Sequence, residues 1–481
     1  MCIDMLRKRT IQMLWVAALL MLSMQSWAQF NWPYEVNNGR VTTHVPERQS
    51  GQLPALGLRT SKLPVVRVGF VGLGMRGSDA VERWTHIPGI QVVALCDYEV
   101  QRANACQQAL EKASMPRAAV YHGEKGYEEL CARNDLDLVY IATDWVHHFP
   151  VARCALEHGK HVAVEVPSAM NLHEIWALID LVEQKRLHCM ILENCCYDFF
   201  ELNSLSMAQQ GVFGEVIYAQ GAYRHELSPY WDKYWNGDPN DRLQWRLRYN
   251  KDHRGDVYPT HGLGPIAQVM NIHRGDRMKT LVAMDTKPAN GPGRVEAKTG
   301  KPCEEFLNGA ETTTLIRTEN GKTISITHCT MTPRPYDRKY QIVGSEGYAA
   351  KYPVQQMCLR RSQLEQEANE QLLDQEKILS AEEMETLRQK YPNPMLTPEL
   401  VELARTVGGH GGMDFLMDYR LIYCLRNGLP LDMDVYDLAE WCCLGPLGAL
   451  SIENGNAPVE VPDFTRGAWN EKQGFSYAFA K

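Results

Sequence analysis

The sequence predicts an α/β chain, with a doubly wound parallel sheet first and a second, α+β part after it. Three observations predict it. A β-branched run, Val65–Val71, meets Gly72-Leu-Gly74-Met-Arg-Gly77, and apolar residues then continue at helical spacing to Trp84, which reads as strand, tight turn and helix. Leu136–Thr143 is an almost unbroken apolar run, typical of a strand buried on both faces of a parallel sheet. Past residue 214, Glu215–Leu227 alternates in polarity, and further short strands are expected at Thr280–Asp285, Glu311–Thr318, Thr323–Cys329 and Lys339–Val343.

Residues 1–28 read as a secretory signal peptide. Arg7-Lys-Arg9 precedes an apolar run from Ile11 to about Met24, and Ser26 and Ala28 occupy the small-residue positions of a cleavage site. Export to the periplasm is therefore expected, with no membrane span in the mature protein. A net charge of −8 in 481 residues leaves no electrostatic footprint for nucleic acid. None of the 14 cysteines has zinc-site spacing, so no metal is expected, and most are read as buried thiols. Residues 29–63 lack periodicity and read as an extended lead-in able to wrap a neighbouring domain or subunit, as in a homo-oligomer.

Residues 64–193 then read as a dinucleotide-binding domain. Gly72 allows the turn, Gly74 lets the backbone approach a pyrophosphate, and Gly77 lets the helix pack against the strand. The phosphates sit at the helix N-terminus, where free N–H groups favour an anion. A second strand, Ile90–Asp97, ends in an acidic residue about 20 positions past the last glycine, where it binds a ribose 2′-hydroxyl and favours NAD. Arg102 is read as a solvated helix residue. Helices at Ala103–Ala113, Tyr127–Arg133, Val151–His158 and Leu172–Arg186 alternate with strands at Val120-Tyr121, Leu136–Thr143 and His188–Glu193, the third helix leading into Gly159–Pro167. Asp144-Trp145-Val-His-His148 falls at the carboxyl end of a strand, where open α/β sheets bind ligands.

These features, together with Gly159-Lys-His-Val-Ala-Val-Glu165-Val166-Pro167, resemble the Gfo/Idh/MocA oxidoreductase family. Typical dehydrogenases of that family carry lysine where this chain has Val166, a departure that counts against ordinary sugar or cyclitol dehydrogenation, the alternative reading. Arg246-x-x-Tyr-Asn, the run Arg254-Gly-Asp-Val-Tyr258-Pro259-Thr260-His261 and Pro333-Arg-Pro-Tyr336-Asp-Arg are similar to glycoside hydrolase family 109, whose characterised members are NAD-dependent α-N-acetylgalactosaminidases. The resemblance covers residue 60 to the C-terminus. It implies an open, mainly antiparallel sheet in residues 194–481, the substrate-binding domain, and a glycan or glycoside substrate. The charged stretch Gln363–Lys390 and an apolar helix from Tyr436 to Leu450 read as scaffold or oligomer contacts.

The resemblance also implies a redox route to hydrolysis: oxidation of the sugar at C3 by bound NAD⁺, loss of the C2 proton with expulsion of the C1 substituent, addition of water, and re-reduction, with retention at C1. Such a route needs a base at the C3 hydroxyl, proton transfer at C2 and donors to the C3 oxygen. His261 is the first choice for the base. Tyr258 is placed as a donor and Tyr336 as the proton-transfer phenol, with Tyr340 its competitor. The cofactor is expected to touch Gly72, Gly74, Met75, Arg76, Gly77, Asp97, Trp145, His148, Glu165, Val166 and Asn194. Sugar contacts are expected from Tyr223, Arg246, Tyr258, Pro259, Thr260, His261 and Tyr336, with Trp231, Trp235 and Trp245 either stacking on sugar rings or packing within their own loop.

Overall fold

The computed structural model describes residues 32–230, 245–360 and 378–480. Residues 1–28, expected as a signal peptide, Trp231, Trp235 and residues 363–377 of the charged stretch lie outside them. The described chain opens with a hairpin, β1 (Tyr34–Asn37) and β2 (Arg40–Thr43). This hairpin is where the lead-in wraps, and it does so within its own chain. Val41 aligns with Val459 near the far end, and its N–H donates to the Pro458 carbonyl at 2.8 Å.

Six strands follow: β3 (Val66–Val71), β4 (Ile90–Asp97), β5 (Ala119–His122), β6 (Leu138–Ile141), β7 (His161–Val164) and β8 (Cys189–Ile191). They form one wholly parallel sheet in the order β5-β4-β3-β6-β7-β8. The order reverses between β3 and β6, which opens a crevice at their carboxyl ends. All of β6 and β7 is buried, as their apolar runs require. The helix expected from Val151 begins earlier, at Trp145. The Asp144 carboxylate caps it by accepting the His147 N–H at 3.2 Å, so Trp145–His148 form a first helical turn rather than a loop.

The second sheet contains β9 (Val216–Arg224), β10 (Met278–Asp285), β11 (Thr312–Thr318), β12 (Thr323–Cys329), β13 (Gln341–Gly344), β14 (Gly347–Ala350), β15 (Gln356–Leu359) and β16 (Val459–Glu460), together with the entering hairpin. Its order is β1-β2-β16-β10-β11-β12-β9-β13-β14-β15. Neighbours run antiparallel except β12 with β9 and β16 with β2. The apolar stretch expected as one helix is two, Val435–Cys442 and Leu444–Glu453, the second lying on β10.

One contact in this half positions the site. The helix Thr260–Val269 lies on β9 so closely that a Cβ on Gly221 would fall 2.0 Å from the Gly262 carbonyl oxygen. Only glycine permits that approach, and it sets His261 against Tyr223. A second contact joins the halves. The helix Met413–Asn427, entered through Gly408-Gly409-His410-Gly411-Gly412 with every φ positive, packs on the helix Met75–Trp84 beside the glycine turn. Among the described residues no helix is long and apolar enough to cross a membrane, and every cysteine is a free thiol.

Candidate active site

The cofactor crevice is built as the glycine spacing requires. Gly72 has φ +86°, and a Cβ there would strike the Ala142 carbonyl at 2.6 Å. At Gly77 a Cβ would lie 1.9 Å from the Gly72 oxygen, whereas at Gly74 only the tip of Arg102, at 3.8 Å, comes within contact range. The helix Met75–Trp84 has no side-chain cap and no acid in its first turn, so its leading N–H groups face that open side. Asp97 is buried and accepts the Leu73 N–H at 2.6 Å and the Glu99 N–H at 2.9 Å, which ties the end of β4 to the turn. The open Gly74 side, the uncapped helix and the fixed carboxylate fit NAD. Arg102, expected in solvent, leans over this turn with Nη1 3.8 Å from Asp97. Met75 is exposed at the start of the helix.

Arg76 is held on both sides. Its Nε donates to Glu165 at 2.6 Å and its Nη1 to Asp414 at 2.6 Å. Tyr140 donates to the same Glu165 at 3.1 Å, Asn194 donates to Asp414 at 2.6 Å, and His410 contacts Asp414 at 2.8 Å. Desolvation would raise the Asp414 carboxyl, but His410 and Arg76 hold it far below the ordinary carboxylate value. Val166 is buried beside Glu165. His148 lies beneath the crevice, its Nδ1 2.8 Å from the Pro167 carbonyl and its Nε2 3.1 Å from that of Thr143, and burial lowers its pKa.

Three aromatic rings surround one guanidinium. The Arg246 head sits 5.0 Å from the Trp145 ring, 4.8 Å from Tyr258 and 5.8 Å from Tyr223, with Nη2 3.3 Å from the Tyr223 hydroxyl. Trp145 stacks on Tyr258 at 5.5 Å and meets Trp245 edge-on at 4.9 Å. Trp245 therefore packs within this cluster. Tyr336 stands across from Tyr223, ring centres 6.4 Å apart. Tyr340, the competitor, is in the core, its hydroxyl 2.7 Å from Ser204. Pro259 precedes the helix that carries His261, and Thr260 is buried at its first position.

His261 Nδ1 lies 2.8 and 2.9 Å from the two oxygens of Glu193, a fully buried residue just past β8. Desolvation would raise the Glu193 carboxyl, but the imidazole and the Cys195 N–H hold it below the ordinary value. It is a carboxylate, so Nδ1 donates and Nε2 is left as the acceptor. Burial, opposed by Arg246, raises the Tyr223 phenol, and burial drives Tyr258 up as well, so both are donors near neutrality, as is the phenol of Tyr336, which is 41% exposed.

Residues that the sequence reading missed complete the site: Glu193, Asp414, His410 and His225. His225 Nδ1 lies 3.1 Å from the Tyr223 hydroxyl, and the ring sits 5.0 Å from that of Tyr336. Burial, with Arg246 and His261 nearby, lowers His225 to about 4 and keeps it neutral. Glu193, Cys195 and His261 bring ligand-type atoms within 4.8 Å of one another. The carboxylate is already bonded to the imidazole, and burial keeps the thiol protonated.

A six-stranded sheet with this order, turn and terminal aspartate defines an NAD-binding oxidoreductase fold, here joined to a cluster of aromatic rings around Arg246. Residues 66–192 match the family model described as oxidoreductase family, NAD-binding Rossmann fold, and residues 197–471 match glycosyl hydrolase 109, C-terminal domain. The chain belongs to glycosyl hydrolase family 109 and binds NAD. It is 62% identical over 453 residues to glycosyl hydrolase family 109 protein 5 of Phocaeicola vulgatus, covering 94% of this chain and 86% of that one. It is 60% identical over 444 residues to glycosyl hydrolase family 109 protein 1 of Bacteroides thetaiotaomicron, covering 92% and 93%. Among solved structures, a levoglucosan dehydrogenase in complex with NADH and levoglucosan shares the fold at TM-score 0.60 and 17% identity, over 83% of this chain and all of that one. An NAD-binding oxidoreductase from Klebsiella pneumoniae gives the same TM-score at 16% identity and the same coverage.

Proposed function

We propose that this enzyme removes terminal α-linked N-acetylgalactosamine by oxidation at C3, elimination across C2 and C1, addition of water and re-reduction, with retention at C1. The observation that carries the reading is the His261–Glu193 pair facing Tyr258, Tyr223 and Arg246. The Glu193 carboxylate is spent on orienting an imidazole, and so is not free to act as one of the two carboxyl groups of ordinary glycoside hydrolysis. Bound NAD supplies reversible two-electron exchange at C3 of the sugar. His261 accepts the C3 hydroxyl proton at Nε2. Tyr258 and Tyr223 donate to the C3 oxygen as charge collects there after the C2 proton leaves. Tyr336, with His225 beside it, moves the proton at C2, and Arg246 binds sugar oxygens. Val166 leaves no lysine at the position where the family's dehydrogenases carry one. We also propose export through residues 1–28, checked by sequencing the N-terminus of protein recovered from the periplasm.

The experiment is hydrolysis of p-nitrophenyl α-N-acetylgalactosaminide in deuterated water without added NAD. Nitrophenol release, deuterium at C2 and no net NADH, read by chromatography of the nucleotides, are expected. NADH accumulating on free sugars, without release of nitrophenol, would establish a dehydrogenase instead.

A further inference from the structure

Apart from the residues assigned to sugar and cofactor, one turn and one helix bring an imidazole against three carboxyl groups. The helix Val435–Cys442 is capped by Asp434, and Asp434, Asp437 and Glu440, spaced every third residue, fall on one of its faces. The imidazole is His273, in the turn after the helix Thr260–Val269, and it is completely buried. Its Nδ1 lies 2.7 Å from Glu440 Oε2, whereas its Nε2 faces the other two acids, 3.6 Å from Asp434 Oδ1 and 3.8 Å from Asp437 Oδ1. Those two distances are too long for hydrogen bonds, and Nε2 has no hydrogen-bond partner among the described residues. The imidazole nitrogen and one oxygen of each aspartate all lie within 4.8 Å of one another.

A buried nitrogen left unpaired beside two carboxylates is unfavourable, and a metal ion removes that penalty. Zinc sits about 2.1 Å from nitrogen and oxygen ligands, so the corners of its tetrahedron are about 3.4 Å apart, close to the spacing found here. Both carboxylates have acceptor capacity left, since an ionised carboxylate offers about four positions. Asp434 Oδ1 accepts the N–H groups of Tyr436 and Asp437, while Asp437 accepts both Nη groups of Arg274 and the Asp434 N–H. Glu440 stands where an outer carboxylate orients a ligating histidine through its other nitrogen. Burial holds His273 neutral, at about 3, and raises the Glu440 carboxyl, so a cation arriving at Nε2 displaces a proton from the pair. Beside Asp434, a cavity of about 20 Å³, lined also by Arg274 and Lys472, is large enough for one water as a fourth ligand.

We propose that His273, Asp434 and Asp437 form a structural site for a divalent cation of the zinc class, with Glu440 as a positioning residue for the histidine. The nitrogen ligand favours zinc over calcium or magnesium, which take oxygen. The expectation of no metal came from cysteine spacing, and this ligand set contains no cysteine. The helix Val435–Cys442 packs on the helix Leu172–Lys185 and on β8 of the cofactor domain, and also on the helix that carries His261. A cation here therefore ties the His261 segment to the cofactor domain. The proposal does not depend on the reading of the sugar site.

The test is dialysis of purified, chelator-treated protein against Zn²⁺, followed by elemental analysis, calorimetric titration and melting. One zinc per chain and a raised melting temperature are expected, with Ca²⁺ giving neither. Glu440→Gln weakens zinc binding roughly 10- to 100-fold, the usual loss when a ligand's outer partner is removed. Asp434→Asn keeps a side chain that caps the helix but removes a charged ligand, and weakens it further. His261→Ala retains the zinc, which separates this site from the Glu193 cluster. Diffraction at the zinc absorption edge then locates the ion in the unaltered protein, between His273 and the two aspartates. No zinc retained, zinc retained equally by Asp434→Asn, or an anomalous peak elsewhere with none at His273 overturns the proposal.

Discussion

His261 Nδ1 is bonded to both carboxylate oxygens of Glu193, at 2.8 and 2.9 Å, although the two residues lie 68 positions apart. Glu193 sits at the end of the last parallel strand and His261 in the first turn of the helix that rests on β9, so the pair spans the junction of the two halves. A carboxylate so placed selects the tautomer whose Nε2 accepts a proton and stabilises the imidazolium that results.

Glu193→Gln keeps an acceptor for Nδ1 but removes the charge. We expect kcat to fall roughly 10- to 100-fold with little change in KM, and the acid limb of the pH–rate profile to move to lower pH. His261→Ala is expected to abolish turnover with NAD still bound, as checked by release of nucleotide on denaturation. A fully active His261→Ala enzyme would falsify the assignment of the base.

Arg246→Lys keeps the charge but loses the planar stacking on Trp145 and Tyr258. The expected effect is a KM about tenfold higher with kcat nearly unchanged, given cation–π contacts worth roughly 1–2 kcal/mol in partly buried sites. Steady-state kinetics on the nitrophenyl glycoside measure it, and an unchanged KM would show that the guanidinium does not meet the sugar.

Arg76→Met leaves Glu165 and Asp414 facing each other without their shared cation. Because the arginine side chain is about a quarter exposed, the loss is set below that of a fully buried pair, at about 2–3 kcal/mol. Purified protein should carry less than the parental amount of NAD and melt earlier. Parental values for both would remove Arg76 from the cofactor site and from the domain contact.

Asp256 is buried, its Oδ1 accepts the Tyr258 N–H at 3.0 Å, its Oδ2 is without a hydrogen-bond partner, and burial pushes its pKa up to about 7. A folded value above the unfolded one of about 3.9 means that the folded protein holds this proton more tightly. The contribution is therefore present at low pH, declines as pH rises from about 4 to 7, and is lost above that. Asp256→Asn should melt above the parent at pH 8, by on the order of 2–4 kcal/mol in stability, and show no advantage at pH 4. Equal melting at both values would mean that the carboxyl carries no such penalty.

The parts of this site legible in the sequence are those whose chemistry is local. Gly72, Gly74 and Gly77 sit within one turn, Asp97 ends the next strand, and His261 belongs to one continuous run with Tyr258. Glu193 and Asp414 were hidden because their partners come from distant segments: Asn194 and Asp414 are 220 positions apart, and Arg76 and Asp414 are 338 apart. His225 was within reach, since the two-residue period of a strand puts it on the same side as Tyr223. The choice between Tyr336 and Tyr340 was not, because it turns on where the strand begins. β13 starts only at Gln341, and Tyr340 points into the core.

The hairpin that opens the described chain and the strand Val459–Glu460 come from its opposite ends, yet they complete one border of the second sheet. During synthesis that border stays open at β10 until the last strand emerges. A chain cut short before Pro458 presents β10 as an unpaired template for other chains, so the two-residue strand Val459–Glu460 serves as the guard against aggregation.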